Sequence, residues 1–121
     1  MIKCGIDLLR ISRLADVNPA IRERFILRVY TEAEIAQARG DNDTLSGIFA
    51  AKEAVSKALG TGIGKVAWQD IEILHATSGE PAVFLHSAAL EVAQAQGLVE
   101  WAVSITHEGG MAAAVAVAQS K

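Results

Sequence analysis

Cysteine is almost absent: Cys4 stands alone among 121 residues. A lone thiol excludes an intrachain disulfide framework and any metal site built from several cysteines. Proline occurs only twice, and no stretch reads as a linker, a low-complexity tract or an internal repeat. Positive charge is the minority sign, 11 Lys and Arg against 14 Asp and Glu, for a net charge of −3. That balance argues against a broad nucleic-acid-binding surface and leaves room for a local basic patch. No apolar run approaches the ~20 residues that cross a bilayer. The opening Met1-Ile2-Lys3-Cys4-Gly5 has neither the apolar core nor the cleavage site of a secretory signal. A cytoplasmic protein with no membrane and no nucleic-acid partner is therefore expected. Apolar residues are plentiful, 51% hydrophobic beside 21% charged, which is the composition of a globular chain. At this length one domain over residues 1–121 is expected, burying about two-thirds of its unfolded surface.

Residues 2–9 alternate weakly, with Ile2, Cys4, Ile6 and Leu8 on one side and Lys3, Gly5, Asp7 and Leu9 on the other, which predicts a strand. Asn18-Pro19 is a helix start, an N-cap followed by proline in the first turn. Thr31-Glu32-Ala33-Glu34 is a capping box for a second helix that Gly40 ends. After a polar turn at 41–44, a long helix is expected over about 45–59, stopping at Gly60-Thr61-Gly62-Ile63-Gly64. Val66, Trp68, Ile71 and Ile73 suggest a strand with a bulge near Gln69. A turn at 78–81, a short strand at 82–85 and a helix over 87–96 follow. Val99, Trp101, Val103 and Ile105 alternate cleanly; a Gly-containing turn at 107–111 then leads to a strand at 112–118. The order β-α-α-α-β-β-α-β-β predicts an α+β fold, with mixed helices packed on an antiparallel sheet.

The long helix holds the densest set of reactive side chains. At 100° per residue, Phe49, Lys52, Glu53, Ser56, Lys57 and Gly60 share an arc of roughly 140°. The spacing is that of an ordinary amphipathic helix with a Glu53–Lys57 i,i+4 pair. It also suits a site in which Lys52, Lys57 and glycine N–H groups beside one carboxylate accept phosphates and a metal. Asp7 sits in a short apolar strand, where an acid is costly unless it is paired, ligated or at the strand end. Folded against Glu53, it would complete a hard-cation site for Mg²⁺, with waters and phosphate oxygens as the other ligands. Ser104 and Thr106 share one side of their strand and leave His107 at the turn, as a hairpin-end residue or a phosphate contact. No nucleophile elbow accompanies them, so a Ser-His hydrolase is not supported. His75 and His86 read as surface residues. Five arginines, Arg10, Arg13, Arg22, Arg24 and Arg28, gather before residue 29, as either a solvated helix face or a docking face for an acidic partner.

These segments, in this order, resemble the holo-acyl-carrier-protein synthases, the short trimeric class of 4′-phosphopantetheinyl transferases. Gly5-Ile6-Asp7 with Ile11-Ser12-Arg13 looks like the family's N-terminal metal motif, and the run from Arg24 to Glu34 like its second block. Phe49-Ala50-Ala51-Lys52-Glu53-Ala54-Val55-Ser56-Lys57-Ala58-Leu59-Gly60-Thr61-Gly62 is close to its central signature. Trp68 to Ile73, Gly79-Glu80-Pro81 and Val103-Ser104-Ile105-Thr106-His107-Glu108 complete a likeness that covers nearly the whole chain.

The resemblance implies transfer of the 4′-phosphopantetheine arm of coenzyme A to a serine of apo acyl carrier protein. Asp7 and Glu53 would hold Mg²⁺, and Lys57 would neutralise the pyrophosphate. Glu53, or a metal-bound water near it, would take the serine proton. Gly60, Gly62, Gly79, Pro81, Ser104 and His107 would line the coenzyme A site. Arg13, Arg22, Arg24 and Arg28 would meet the acidic carrier. It further implies a homotrimer with sites between subunits; a non-catalytic trimeric relative that binds nucleotide or carrier is the alternative. Two positions depart from the family pattern: Ile48 stands where an arginine is usual and Glu80 where a lysine is frequent. Restoring either positive charge is expected to tighten coenzyme A binding if those sites face the nucleotide.

Overall fold

The structure, a computed structural model, describes all residues 1–121. In chain order the elements are β1 (Ile2–Arg10), α1 (Ser12–Ala15), α2 (Pro19–Val29), α3 (Glu32–Ala38) and α4 (Asn42–Leu59). A 3₁₀ turn (Trp68–Asp70), β2 (Ile71–His75), β3 (Pro81–Leu85), α5 (Ser87–Ala95), β4 (Leu98–Glu108) and β5 (Met111–Ser120) follow. This is an α+β fold, as the pattern of elements predicted. Strands β1, β5 and β4 form an antiparallel sheet in that order, and β2 pairs antiparallel with β3 as a separate hairpin beside β4.

Local chemistry sets the helix boundaries. The Asn18 carboxamide accepts the Ala20 N–H at 2.8 Å to open α2. The Thr31–Glu34 capping box opens α3. Asp41 accepts both the N–H and the hydroxyl of Thr44, at 3.0 and 2.6 Å. The expected polar turn is therefore the first turn of α4, which begins at Asn42. Gly60, at φ 83°, closes α4 in the left-handed conformation, where a Cβ would be strained. Gly109 and Gly110, at φ 56° and 76°, supply the two positive angles of a tight hairpin, which keeps His107 and Glu108 inside β4.

Helix α4 crosses the inner face of the sheet diagonally. Near its start, a Cβ on Gly47 would lie 2.8 Å from Ile105 and 3.0 Å from His107 on β4. Further along, a Cβ on Gly5 of β1 would overlap the Ala54 carbonyl oxygen and sit 2.8 Å from the Ala58 nitrogen. Between these contacts, Ala112, Ala114, Ala116 and Ala118 of β5 are buried beneath the helix. The alanine stripe thus packs on the chain's own helix; short side chains let helix and sheet approach closely.

Other expectations change. The segment 66–70 is not strand: Asp70 accepts the Ala67 N–H at 3.0 Å, closing the 3₁₀ turn before β2 begins. The apolar side of β1 faces outward. Ile2, Ile6 and Leu8 are 61–71% exposed, while Gly5 and Leu9 are buried. In register with them, Val115 and Val117 continue the exposed apolar face onto β5.

A buried ion pair ties α3, α4 and β2 together. Lys52 Nζ lies 2.7 Å from Glu34 Oε1, both side chains fully buried, and it donates to the carbonyls of Ile71 and Trp68 at 2.7 and 3.1 Å. Glu34 in turn accepts the N–H groups of Thr31 and Ile73. Burial holds the Lys52 ammonium below its ordinary pKa, and the Glu34 carboxylate opposes that shift.

The Gly5 contact generates a test. Gly5→Ala must push β1 away from α4 and should lower unfolding stability by at least about 1–3 kcal/mol, the usual range for overpacking. Denaturant midpoints measure this; an unchanged midpoint would mean that the strand and helix separate freely.

Candidate active site

Most of α4 is covered, and beyond its first turn only Phe49, Glu53 and Lys57 escape full burial. Their i, i+4, i+8 spacing makes a narrow stripe along one side of the helix. The stripe looks toward β1 beside Gly5, whose near neighbour Asp7 projects from the same strand side. Lys57 Nζ reaches across to Asp7 Oδ1 at 3.3 Å and donates to the Ile6 carbonyl at 2.9 Å. The ammonium therefore serves the strand rather than forming a simple pair with Glu53.

The Glu53 carboxyl is pushed above the ordinary carboxylate range. Partial burial is the main cause and the nearby Asp7 charge adds to it; Lys57 and Arg13 oppose. No side-chain hydrogen bond contributes. Two carboxylates with a repulsive interaction and free lone pairs fit a hard divalent cation. No third His, Cys, Asp or Glu joins them as a ligand. Such a two-acid set matches Mg²⁺, which keeps waters and takes phosphate oxygens from its substrate.

The remaining residues singled out in the sequence separate. Lys52 is not in the site, because its ammonium is buried on another side of α4 against Glu34. Ile48 is fully buried, so it faces no nucleotide, and arginine there would bury a charge without a partner. The N–H groups of Gly60 and Gly62 bond the Lys57 and Ser56 carbonyls at 3.0 and 3.1 Å; they close the helix and are not free donors. Ser104 lies on the exposed outer sheet face, across from Val115, whereas His107 lies on the inner face, across from the buried Ala112. His107 Nε2 is 2.7 Å from the Asp43 carbonyl and lines an open polar cleft of about 550 Å³ with Arg10, Ser12, Asp16 and Glu108. Gly79, Glu80 and Pro81 sit at the β2–β3 hairpin. One chain thus carries two separate clusters. Asp7, Glu53 and Lys57 lie at the β1 edge, and the hairpin lies beyond β4 at the other edge.

The arginines also divide. Arg22 is tied down by Asn42 Oδ1, at 2.7 and 3.2 Å, and by the Gly40 carbonyl. Arg13, Arg24 and Arg28 are exposed. Arg13 lines a second feature, an apolar cavity of about 200 Å³ between α1, α2 and α4, with Leu9, Ile21, Phe25, Ser46 and Phe49 among its walls. Sequence reasoning missed this cavity. Its only trace there was Phe49 lying among polar neighbours on the helical arc.

The family model described as the 4′-phosphopantetheinyl transferase superfamily matches residues 3–116. The chain belongs to that superfamily. A holo-(acyl-carrier-protein) synthase of Moorella thermoacetica is 43% identical over 123 residues, covering 99% of this chain and 95% of the relative. Among solved structures, the synthase of Neisseria meningitidis aligns with TM-score 0.88 and 32% identity over 99% of this chain and 100% of that one. The Helicobacter pylori synthase, solved in complex with coenzyme A, aligns with TM-score 0.86 and 32% identity over 98% and 100%.

The charges around Glu53 predict opposite shifts. In the metal-free protein its carboxyl should titrate above the usual ~4.3. Arg13→Ala, which removes a favourable cation, should raise it further; Asp7→Asn, which removes a like charge, should lower it. Carboxyl ¹³C NMR titrations measure both, and shifts in the same direction would contradict the arrangement.

Proposed function

We propose that the chain transfers 4′-phosphopantetheine from coenzyme A to a serine of apo acyl carrier protein, releasing adenosine 3′,5′-bisphosphate. The observation that carries this reading is the convergence of Asp7, Glu53 and Lys57 on one edge in a member of this superfamily. The relatives' names, and the coenzyme A complex of one of them, support it. The serine oxygen attacks the phosphorus that bears the pantetheine arm, and the bond to the adenosine 5′-phosphate breaks. Glu53, or a metal-bound water near it, takes the serine proton. The half-exposed Lys57 ammonium, held by the Ile6 carbonyl, faces the pyrophosphate and offsets its charge. Asp7 and Glu53 are the residues that would hold Mg²⁺. When bound, the ion supplies positive charge against the pyrophosphate oxygens. Positioning and charge compensation account for catalysis of this kind.

The exposed Arg13, Arg24 and Arg28 beside the apolar cavity suit an acidic carrier protein. Ile21, Arg24, Phe25 and Arg28 share one side of α2, at i, i+3, i+4 and i+7. The water-soluble substrates suit a cytoplasmic enzyme that supplies holo carrier for fatty-acid synthesis.

Two features support a homotrimer. The outer sheet face leaves Ile6, Leu8, Val115 and Val117 exposed, a contiguous apolar patch that needs cover. The Asp7 cluster lies at the β1 edge and the β2–β3 hairpin beyond β4, so a head-to-tail ring would bring Asp7, Glu53 and Lys57 of one subunit to Gly79 and Pro81 of the next, with that subunit's His107, on the inner face of β4, completing the site.

Two experiments test this. Purified protein with coenzyme A, Mg²⁺ and apo carrier should add one phosphopantetheine mass to the carrier by mass spectrometry. Glu53→Gln should fold and lose at least about 10²-fold in kcat, the usual contribution of a general base; full activity would remove Glu53 from the role. Separately, inactive Glu53→Gln and His107→Ala chains, unfolded together and refolded as mixed trimers, should regain activity. Mixed trimers without activity would contradict a shared site.

A further inference from the structure

Strand β2 has a strand partner on one edge only. It pairs with β3 through Ile71↔Leu85, Ile73↔Val83 and His75↔Pro81, and a bare second edge would leave backbone N–H and C=O groups open. Side chains occupy that edge instead. Lys52 Nζ donates to the Ile71 carbonyl and Glu34 Oε2 accepts the Ile73 N–H, each at 2.7 Å. Gln37 closes the row with two bonds to one residue. Its amide nitrogen donates to the His75 carbonyl and its amide oxygen accepts the His75 N–H, both at 2.8 Å. A carboxamide carries a donor and an acceptor side by side, so Gln37 stands where a neighbouring strand would.

Gln37 differs from the other two. Lys52 and Glu34 are fully buried and bond each other as well as β2. Gln37 is exposed, and what it grips is the last residue of β2. Residues 76–80 beyond it form an exposed turn. The turn is closed by the Ala76 N–H on the Glu80 carbonyl at 2.9 Å and the Gly79 N–H on the Ala76 carbonyl at 2.8 Å. Both bonds are internal to it. Strand β3 lies beside β4 without joining its sheet, so no backbone ladder ties the hairpin to the sheet. The place of the turn is therefore set at its stem, and Gln37 is the side-chain tether next to it.

The reaction needs that turn in place. Asp7, Glu53 and Lys57 take the pyrophosphate, and the phosphorus bearing the pantetheine arm must stay open to the serine. Gly79 and Pro81, from another part of the fold, then meet the adenosine end. We propose that Gln37 is a positioning residue for coenzyme A: by clamping His75 it fixes how the β2–β3 hairpin presents Gly79 and Pro81 to the nucleotide. The inference rests on the transferase reading above. A turn that must be ordered on binding costs affinity, and a tether that orders it beforehand removes that cost. Gln37 touches no reacting atom, so its effect falls on nucleotide binding and not on the chemical step.

The test uses the intact oligomer and Gln37→Met, which keeps the length of the side chain and its helix propensity and removes both bonds. KM for coenzyme A should rise about three- to tenfold, the net loss of roughly one hydrogen bond, with kcat and the KM for apo acyl carrier protein unchanged. The Kd of adenosine 3′,5′-bisphosphate, measured by calorimetry without turnover, should rise by the same factor. Amide exchange at Ala76 and Gly79 should quicken, while that of Ile73, held by Glu34, should not. Gln37→Glu keeps the acceptor for the His75 N–H and loses the donor, so its KM should fall between the two. A mere guard of the strand edge would behave differently: Gln37→Met would self-associate with its KM unchanged, and that result would overturn the proposal. So would an unchanged bisphosphate Kd, or a rise in carrier KM alone. If the unmodified enzyme is active and Gln37→Met matches it, this proposal alone falls. If the unmodified enzyme forms no holo carrier, the transferase reading falls first and this proposal with it.

Discussion

The contact between Gly5 and the backbone of Ala54 and Ala58 governs the rest of the site. A strand and a helix are usually held apart by their side chains; here one glycine removes the spacer. Asp7 follows Gly5 by two residues on the same side of β1, and Glu53 directly precedes Ala54. Close approach of the two backbones is therefore the same event as the meeting of the two carboxylates. Partial burial, and after it the like charge of Asp7, raises the Glu53 carboxyl. The repulsion between the two carboxylates is sustained by Lys57, by Arg13 and by the packing of the whole sheet against α4. A cation bound between the two carboxylates would relieve that repulsion.

The helix that presents Glu53 is fixed from its other side by Lys52 and Glu34. Every polar contact of this buried pair is to backbone or to the other partner, so α4 cannot rotate without stranding a charge. The motif thus splits its neighbouring residues by role: Lys52 anchors inward and Glu53 faces the substrate side. The β2–β3 hairpin lies beyond β4, at the far side of the sheet from Asp7 and Glu53. Between them the outer sheet face leaves Ile6, Leu8, Val115 and Val117 exposed.

Much of this was legible in the residues. The Asn18, Thr31 and Gly60 caps marked the helix ends within a residue or so, because capping is local chemistry. The clean alternation of β4 gave that strand, and the family likeness joined Asp7 to Glu53 across 45 intervening positions of chain, a pairing that no local pattern encodes. The errors share a cause. Periodicity puts Lys52 on the polar arc with Glu53 because it reports one buried side, while α4 is enclosed on nearly all sides; the family likeness, not periodicity, points Ile48 toward the nucleotide. The outward turn of Ile6 and Leu8 inverted the expected core face of β1 for the complementary reason: Gly5 and the small alanines, not the large aliphatics, line the helix contact. The cavity at Ser46 needs three helices to enclose it and left almost no mark in the sequence.

The central claim is that Asp7 and Glu53 form the divalent-cation site against which coenzyme A is activated. Crystals grown with Mn²⁺ and coenzyme A, measured at the manganese absorption edge, test it most directly. The account predicts an anomalous peak in contact with carboxylate oxygens of both Asp7 and Glu53 and with a pyrophosphate oxygen. A metal peak elsewhere, or coenzyme A bound with its pyrophosphate away from Lys57, would contradict it.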